Sequence, residues 1–445
     1  MEKNTNKSGT LAIPFVKNQA RILQGWAFFD WANSAYALVI TAAIFPSYFL
    51  EVTDKTIEVG HIVMSNSSLY AYIITTAYLI VAIGSPFISG FADSANNKKM
   101  MLFLFTLLGS IHCCLLYFFD GMDHLGIGVM AFMMALIGFI GSNVFYNAFL
   151  PEITTEDKFD SLSARGFSMG YIGSVLLLIG NLAVIKSPET FGLATTQDAV
   201  RISFITVGIW WIGFAIIPLY YLPGVFRLQL RREKVVEGMY ILRDVWKKLK
   251  QMPNVKRFLT AFLSYNAGVQ TVMLLAAVFA KKELGFETSE LIMLILILQL
   301  VAILGAMFFS KLSSWRTNKF SLIVMLVIWI GICIVGFVVV SKFQFYCLAG
   351  FVGLVMGGIQ SLSRSTYSKM IYQYEGEETS FFSFYDVVEK VSILFGTFAF
   401  GFIEQITGSM RNSIIALGIF FVVGLFLLNS ADLKISKKVQ LKNLV

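Results

Sequence analysis

Apolar stretches of about twenty residues recur along the whole of this chain, each long enough to cross the hydrocarbon core of a bilayer as a helix. Twelve can be marked, at approximately 26–50, 68–92, 99–119, 125–149, 167–186, 201–222, 258–280, 288–310, 320–341, 343–365, 381–405 and 411–430. Inside lipid every backbone N–H and C=O must be satisfied by the protein itself, so these segments are expected to be helices. The expected fold class is an all-α membrane protein. Composition agrees: the 445 residues are 57% hydrophobic and 14% charged, against about a quarter charged in soluble domains.

The net charge of +8 does not call for nucleic acid, because its distribution has a membrane explanation. With the N-terminus placed in the cytoplasm, the cytoplasmic segments hold 27 Lys and Arg and the opposite side seven, with Lys390 inside a span. That bias puts both termini in the cytoplasm. Residues 1–21 lack a compact apolar core followed by a small-residue cleavage site, so no cleavable signal peptide is expected. Cys113, Cys114, Cys333 and Cys347 lie in apolar runs without metal-type spacing and read as packing or lipid-facing residues.

The longest polar segment, 223–257, is basic and helix-compatible. It reads equally as a helix on the membrane face or as a linker with surface charge. It divides the spans six and six. The expected organisation is a first half over 1–222, a basic cytoplasmic linker over 223–257, a second half over 258–430 and a basic tail over 431–445. This layout resembles that of major facilitator transporters, whose halves are repeats with the substrate site between them near the midplane.

The loop after span 2 reads SGFADSANNKK, 89–99. It resembles the facilitator signature of a small residue, an acid four positions later and a basic pair. Asp93 would hold a helix N-terminus, where the dipole favours an anion; the resemblance implies span 11. Ser89 and Asn96 stand where glycines are usual. The matching loop after span 8, SKLSSWRTNK, keeps basic residues but lacks the acid.

Five further motifs are more specific: FFDWANSAYALVI (28–40), FYNAFLPEIT (145–154), SARGFSMGYIGSVLLL (163–178), GGIQSLSRSTYSKMI (357–371) and FFSFYDVVEKVSILFG (381–396). In this order they are similar to the Atg22-like, UMF1 branch of the major facilitator superfamily, over about 24–430. The resemblance implies a secondary transporter. It also implies amino-acid efflux, as in fungal members, and leaves the substrate open for bacterial-type members.

The alternating direction of the spans puts Asp30, Asn147, Glu152, Arg364, Asp386 and Lys390 at one cytoplasmic depth. Intramembrane charges are expensive and face a cavity or a partner. Asp30 and Glu152 belong to the first half, Arg364 and Lys390 to the second. These residues, with Asp93, form a candidate cytoplasmic gate across the two halves. The competing reading is local: Asp386 and Lys390 are four apart, acid first, and neutralise each other on one helix.

Deeper in, Asn266 and Gln270 share a face of span 7, and Asn33 and Tyr36 are assigned to one face of span 1. Amides and phenols can hold both ends of a zwitterion, and they also serve as interhelical glue. These four are the candidate substrate-binding residues. Asn181 and Gln299 are further lone amides. Asp30 and Glu404 are the candidate carriers of a coupling proton.

No G-x-x-x-x-G-K-[ST], H-E-x-x-H or G-x-S-x-G occurs, and the three histidines show no ligand spacing. No enzyme activity, cofactor or metal is expected. The leading reading is a monomeric, multi-pass transporter of the bacterial cytoplasmic membrane, exporting amino acids or similar zwitterions. An importer or multidrug-type efflux facilitator is the first alternative. A non-transporting scaffold or sensor is the second.

Overall fold

The computed structural model describes residues 16–59, 62–95, 97–224, 232–374 and 376–433. Asn96, part of the linker and most of the basic tail lie outside the described residues.

Span 1 is composite: an α-helix Ala20–Ala35, a π-helix Tyr36–Ile44 and an α-helix Phe45–Val52. A hairpin of strands Thr56–Val59 and Ile62–Ser65 leads to span 2, Asn66–Ala95. Spans 3 to 6 are Lys98–Leu115, Leu125–Ile153, Phe159–Lys186 and Thr196–Tyr221. A linker helix, Arg232–Gln251, precedes span 7, Pro253–Leu284. Spans 8 to 12 are Thr288–Trp315, Asn318–Val338, Lys342–Ile371, Glu378–Thr407 and Met410–Ser430.

Among the described residues, eleven helices are long and apolar enough to cross a membrane. The remaining candidate, span 11, forms a helix of 30 residues but carries Asp386, Glu389, Lys390 and Glu404. Several helices also outrun the apolar segments that announce them. Span 10 continues through Arg364 and Lys369 to Ile371, and span 7 begins at Pro253, where proline's fixed φ suits a first turn. In span 10 the extra turns carry polar residues such as Arg364 and Ser368 because they are buried against other helices, whereas Lys256 and Arg257 at the start of span 7 are exposed.

Local chemistry sets the helix ends away from the Lys- and Arg-rich side. Ser341 accepts from the Gln344 N–H at 3.2 Å, and Gln344 reaches back to the Ser341 N–H, a reciprocal cap. Spans 7 and 11 end at Gly285 and Gly408, both at φ +65°, a left-handed conformation open to glycine.

Packing relies on small residues, since lipid provides no hydrophobic drive between helices. In span 10, Gly353 and Gly357 sit against the backbone of span 8: a Cβ on Gly353 would lie 2.6 Å from the Leu298 carbonyl oxygen. Two core clusters result. One is built from spans 1–6 around Trp26, Tyr36, Phe132 and Trp211. The other is built mainly from spans 7–12 around Phe262, Trp329, Tyr367 and Phe421. The linker helix touches both: Gly238 packs on Gly90 of span 2, while Trp246 stacks on Phe384 of span 11 at 5.5 Å.

Candidate functional site

A cavity of about 320 Å³ lies between the two sets of spans. Span 1 contributes a stripe with helical period, Asp30, Asn33, Ser34, Ala37 and Thr41. Span 4 adds Asn143 and Asn147; span 7 adds Tyr265, Asn266 and Gln270; span 11 adds Glu389 and Lys390. The cavity side of span 1 passes from α- to π-helix at Tyr36, a local form often found at functional sites.

Toward the Lys- and Arg-rich end the cavity is closed by Arg364, which is 4% exposed. Both terminal nitrogens of its guanidinium lie 3.4 Å from Oδ2 of Asp30, which also accepts from the Tyr146 hydroxyl at 2.7 Å. Arg364 donates to Oγ and the carbonyl oxygen of Ser163, at 2.9 and 3.0 Å, and to Oδ1 of Asn147 at 3.2 Å. Its plane lies over the rings of Phe167, Trp26 and Tyr146, at 4.3, 4.8 and 5.4 Å, where cation–π attraction replaces part of the lost hydration. A fixed fork of donors suits this role better than an ammonium would.

Beyond this layer come further ties between the sets, three of them built on acids of the first six spans or on Lys98. Asp93 accepts from the Ser380 backbone N–H in the first turn of span 11, at 2.8 Å. Lys98 bridges Glu152 of span 4 at 2.8 Å and Glu378 of span 11 at 3.2 Å. Asp160, at the start of span 5, accepts from Lys369 at 2.7 Å and from Ser313 and Asn318 at 2.8 Å each. The ion pairs at the other end are different. Lys282–Glu404, Lys342–Glu290 and Arg411–Glu283, at 2.7, 2.6 and 3.1 Å, each stay within spans 7–12.

The geometry sorts the residues singled out from sequence. Asp30, Asn147 and Arg364 meet directly; Asp93 and Glu152 join the same end through Ser380 and Lys98. Lys390 makes no ion pair with an acid of the first half among the described residues. Lys390 pairs with Asp386 at 3.3 Å and Glu389 at 3.1 Å on its own helix, because one turn brings them together without any help from the fold. Asn33, Asn266 and Gln270 line the cavity. Tyr36 does not: it lies off the stripe that Asp30, Asn33 and Ala37 define, and packs against Phe139 and Trp211, at 5.3 and 5.5 Å. Asn181 holds Thr206 within the first six spans, while Gln299 reaches the cavity. Glu404 sits at the opposite end on Lys282.

Three contributors have no place in the sequence reading. Asn143 shares a helix face with Asn147, four residues on, and holds Asn33 at 3.0 Å; that spacing was the available signal. Ser163 heads a quoted motif but gives no sign that it meets Arg364. Asp160 supplies, from the other half, the acid that the loop after span 8 lacks.

The family model described as vacuole effluxer Atg22 like matches residues 18–441. The MFS-type transporter YxiO of Bacillus subtilis is 30% identical over 91% of this chain and 93% of its own length. Autophagy-related protein 22 of Eremothecium gossypii is 23% identical over 93% and 91%. Among solved structures, the major facilitator transporter FucP in its outward conformation superposes with a TM-score of 0.70 at 12% identity, covering 93% of this chain and 98% of that one. The chain belongs to the Atg22-like family, and is an integral membrane transporter of the major facilitator fold.

Proposed function

We propose that this protein exports amino acids or similar small zwitterions across the bacterial cytoplasmic membrane by alternating access, residues 1–222 rocking against 258–430. One observation carries the reading: amides from both halves (Asn33, Asn143, Asn266 and Gln270) line one cavity. Each amide offers a donor and an acceptor, as a carboxylate and an ammonium require. The cross-half ties at the Lys- and Arg-rich end support assigning them to a cytoplasmic gate, closed here. In this reading Asp30, Asp93, Asn147, Glu152 and Arg364 hold the gate. Asp30 is better placed than Glu404 to carry a coupling proton, since Asp30 lines the cavity and Glu404 sits at the opposite end, on Lys282. The Escherichia coli protein of similar fold is a fucose:proton symporter.

The test is flux of labelled amino acids in proteoliposomes, measured in both directions with and without a pH gradient. Export stimulated by an inward proton gradient is the expected result. Flux of amphipathic drugs and none of amino acids would replace this reading with a multidrug one. The aromatic and methionine walls, Phe139, Phe167, Phe262 and Met273 among them, favour that second reading. No flux of any solute would return the scaffold reading.

A further inference from the structure

The charges around the cavity do not cancel. Asp30 and Arg364 form one pair at its closed end. The other charged set is a single turn of span 11, where Lys390 is shared between Asp386 and Glu389. Two carboxylates against one ammonium leave a formal excess of one negative charge. Asp386 is 5% exposed and does not line the cavity, whereas Glu389 and Lys390 do. The accessible half of that excess is therefore the Glu389 carboxylate. The other titratable groups facing this turn are Tyr78 of span 2, whose ring lies 5.8 Å from the Lys390 ammonium, and Tyr265 and Tyr385 on the cavity wall. None brings a compensating cation.

A second observation points the same way. Oδ1 of Asn33, a residue 2% exposed, is buried without a hydrogen-bond partner among the described residues, as is Oε1 of Gln299. Both residues line this cavity. Two residues of the wall thus hold acceptors that lack donors, and the same cavity holds an unbalanced anion. Asn33, Asn266 and Glu389 lie thirteen, thirteen and eleven residues into their helices, about 17–20 Å at 1.5 Å per residue. Each therefore sits near the middle of its own span.

We propose that Glu389 is the subsite for the ammonium group of the cargo, with Asn33 and Gln299 as its neutral acceptors. The inference rests on the zwitterion reading and adds which end is recognised, and by what. Burial of an unpaired charge is costly, and a cavity that closes around Glu389 strips its water. A cargo ammonium balances the charge at that moment, so closure favours loaded over empty protein. An N-blocked cargo brings no such charge and adds a second anion.

The experiment uses the full-length protein in detergent and reads ligand-induced thermal stabilisation. Phenylalanine, methionine and glutamine suit the aromatic, thioether and amide walls. Each is compared with its N-acetyl derivative and its decarboxylated amine. The free amino acids and amines are expected to stabilise, with the acetylated forms at least about tenfold weaker. Glu389→Gln should bring acetylated and free forms to within about twofold of each other. If that variant does not fold, the wild-type series decides alone. Equal stabilisation by acetylated and free forms overturns the inference, as does stabilisation by no ammonium-bearing compound. Binding of amines without amino acids keeps the subsite and removes the amino-acid export reading.

Discussion

Asp93 and Ser380 join the end of one helix to the beginning of another: the carboxylate of span 2 caps the first turn of span 11 at 2.8 Å. A mirrored tie joins Asp160, in the first turn of span 5, to Ser313 in the last turn of span 8 at 2.8 Å. Both acids come from the first six spans, and both partners from the last six. The carboxylate at span 11 also meets the positive end of its dipole, an interaction of ~0.3–2 kcal/mol depending on burial.

Asp93→Asn keeps the shape and removes the charge. The expected outcome is a severalfold rise in the population open at the Lys- and Arg-rich end, with the folded protein retained. Spin-label distances between the ends of spans 2 and 11 would report it; an unchanged distribution would refute the gating role.

Asp30→Asn leaves the buried Arg364 guanidinium without its anion. Breaking one partner of such a pair costs ~3–5 kcal/mol, so both thermal stability and transport should fall. Arg364→Lys should also lose most transport, because an ammonium cannot hold Asp30, Asn147 and both Ser163 oxygens at once. Exchanging the two residues should not restore flux, since Tyr146, Asn147 and Ser163 are placed for one orientation only. Recovery of flux by the exchanged pair would contradict this.

Lys390→Met leaves Asp386 and Glu389 facing each other without their cation, and should impair folding or transport. A second change, Asp386→Asn, should recover much of the loss, while Asp30→Asn in its place should recover none. A double-mutant cycle on thermal stability separates the two. Coupling of Lys390 to Asp30 stronger than to Asp386 would reverse the local assignment.

Gly166 faces the centre of the closed end. An added methyl would lie 2.5 Å from Oδ2 of Asp30 and 3.1 Å from Nη2 of Arg364. Gly166→Ala should therefore loosen the Asp30–Arg364 contact without touching either charge, and cut flux. Cysteine labelling of the cavity from the basic side is the readout; labelling at the wild-type rate would show that the crowding is relieved elsewhere.

What the sequence makes legible follows from the reach of its signals. Apolar length announces the spans, because a bilayer imposes one dimension on all of them. Helical spacing finds Asn266 with Gln270 and Asp386 with Lys390, each four residues apart. It misleads at Tyr36, where sharing a turn with Asn33 is not enough to share the narrower stripe that reaches the cavity. Contacts made by docking two distant surfaces leave no local period. Asp160 with Lys369, and Ser163 with Arg364, are 209 and 201 residues apart, and neither partner's neighbourhood hints at the other. Opposite signs at a shared depth suggest that Asp30 meets a cation; they do not choose between Arg364 and Lys390.

Span 11 has a consequence for biogenesis. Charged residues at the centre of an inserting helix cost ~2.5–3.5 kcal/mol each, and this one carries three within five positions, Asp386 to Lys390. The helix is a poor guest for lipid and a good one for the surface that Tyr78 and spans 2 and 7 prepare for it. Its membrane entry should then depend on what was threaded earlier: alone behind a reporter it should be translocated or left outside, and with the preceding ten spans it should insert. Glycosylation mapping of the two chains reads the difference directly. The helix that supplies the cavity's charge is, on this view, the one the nascent chain can seat only after a place has been made for it.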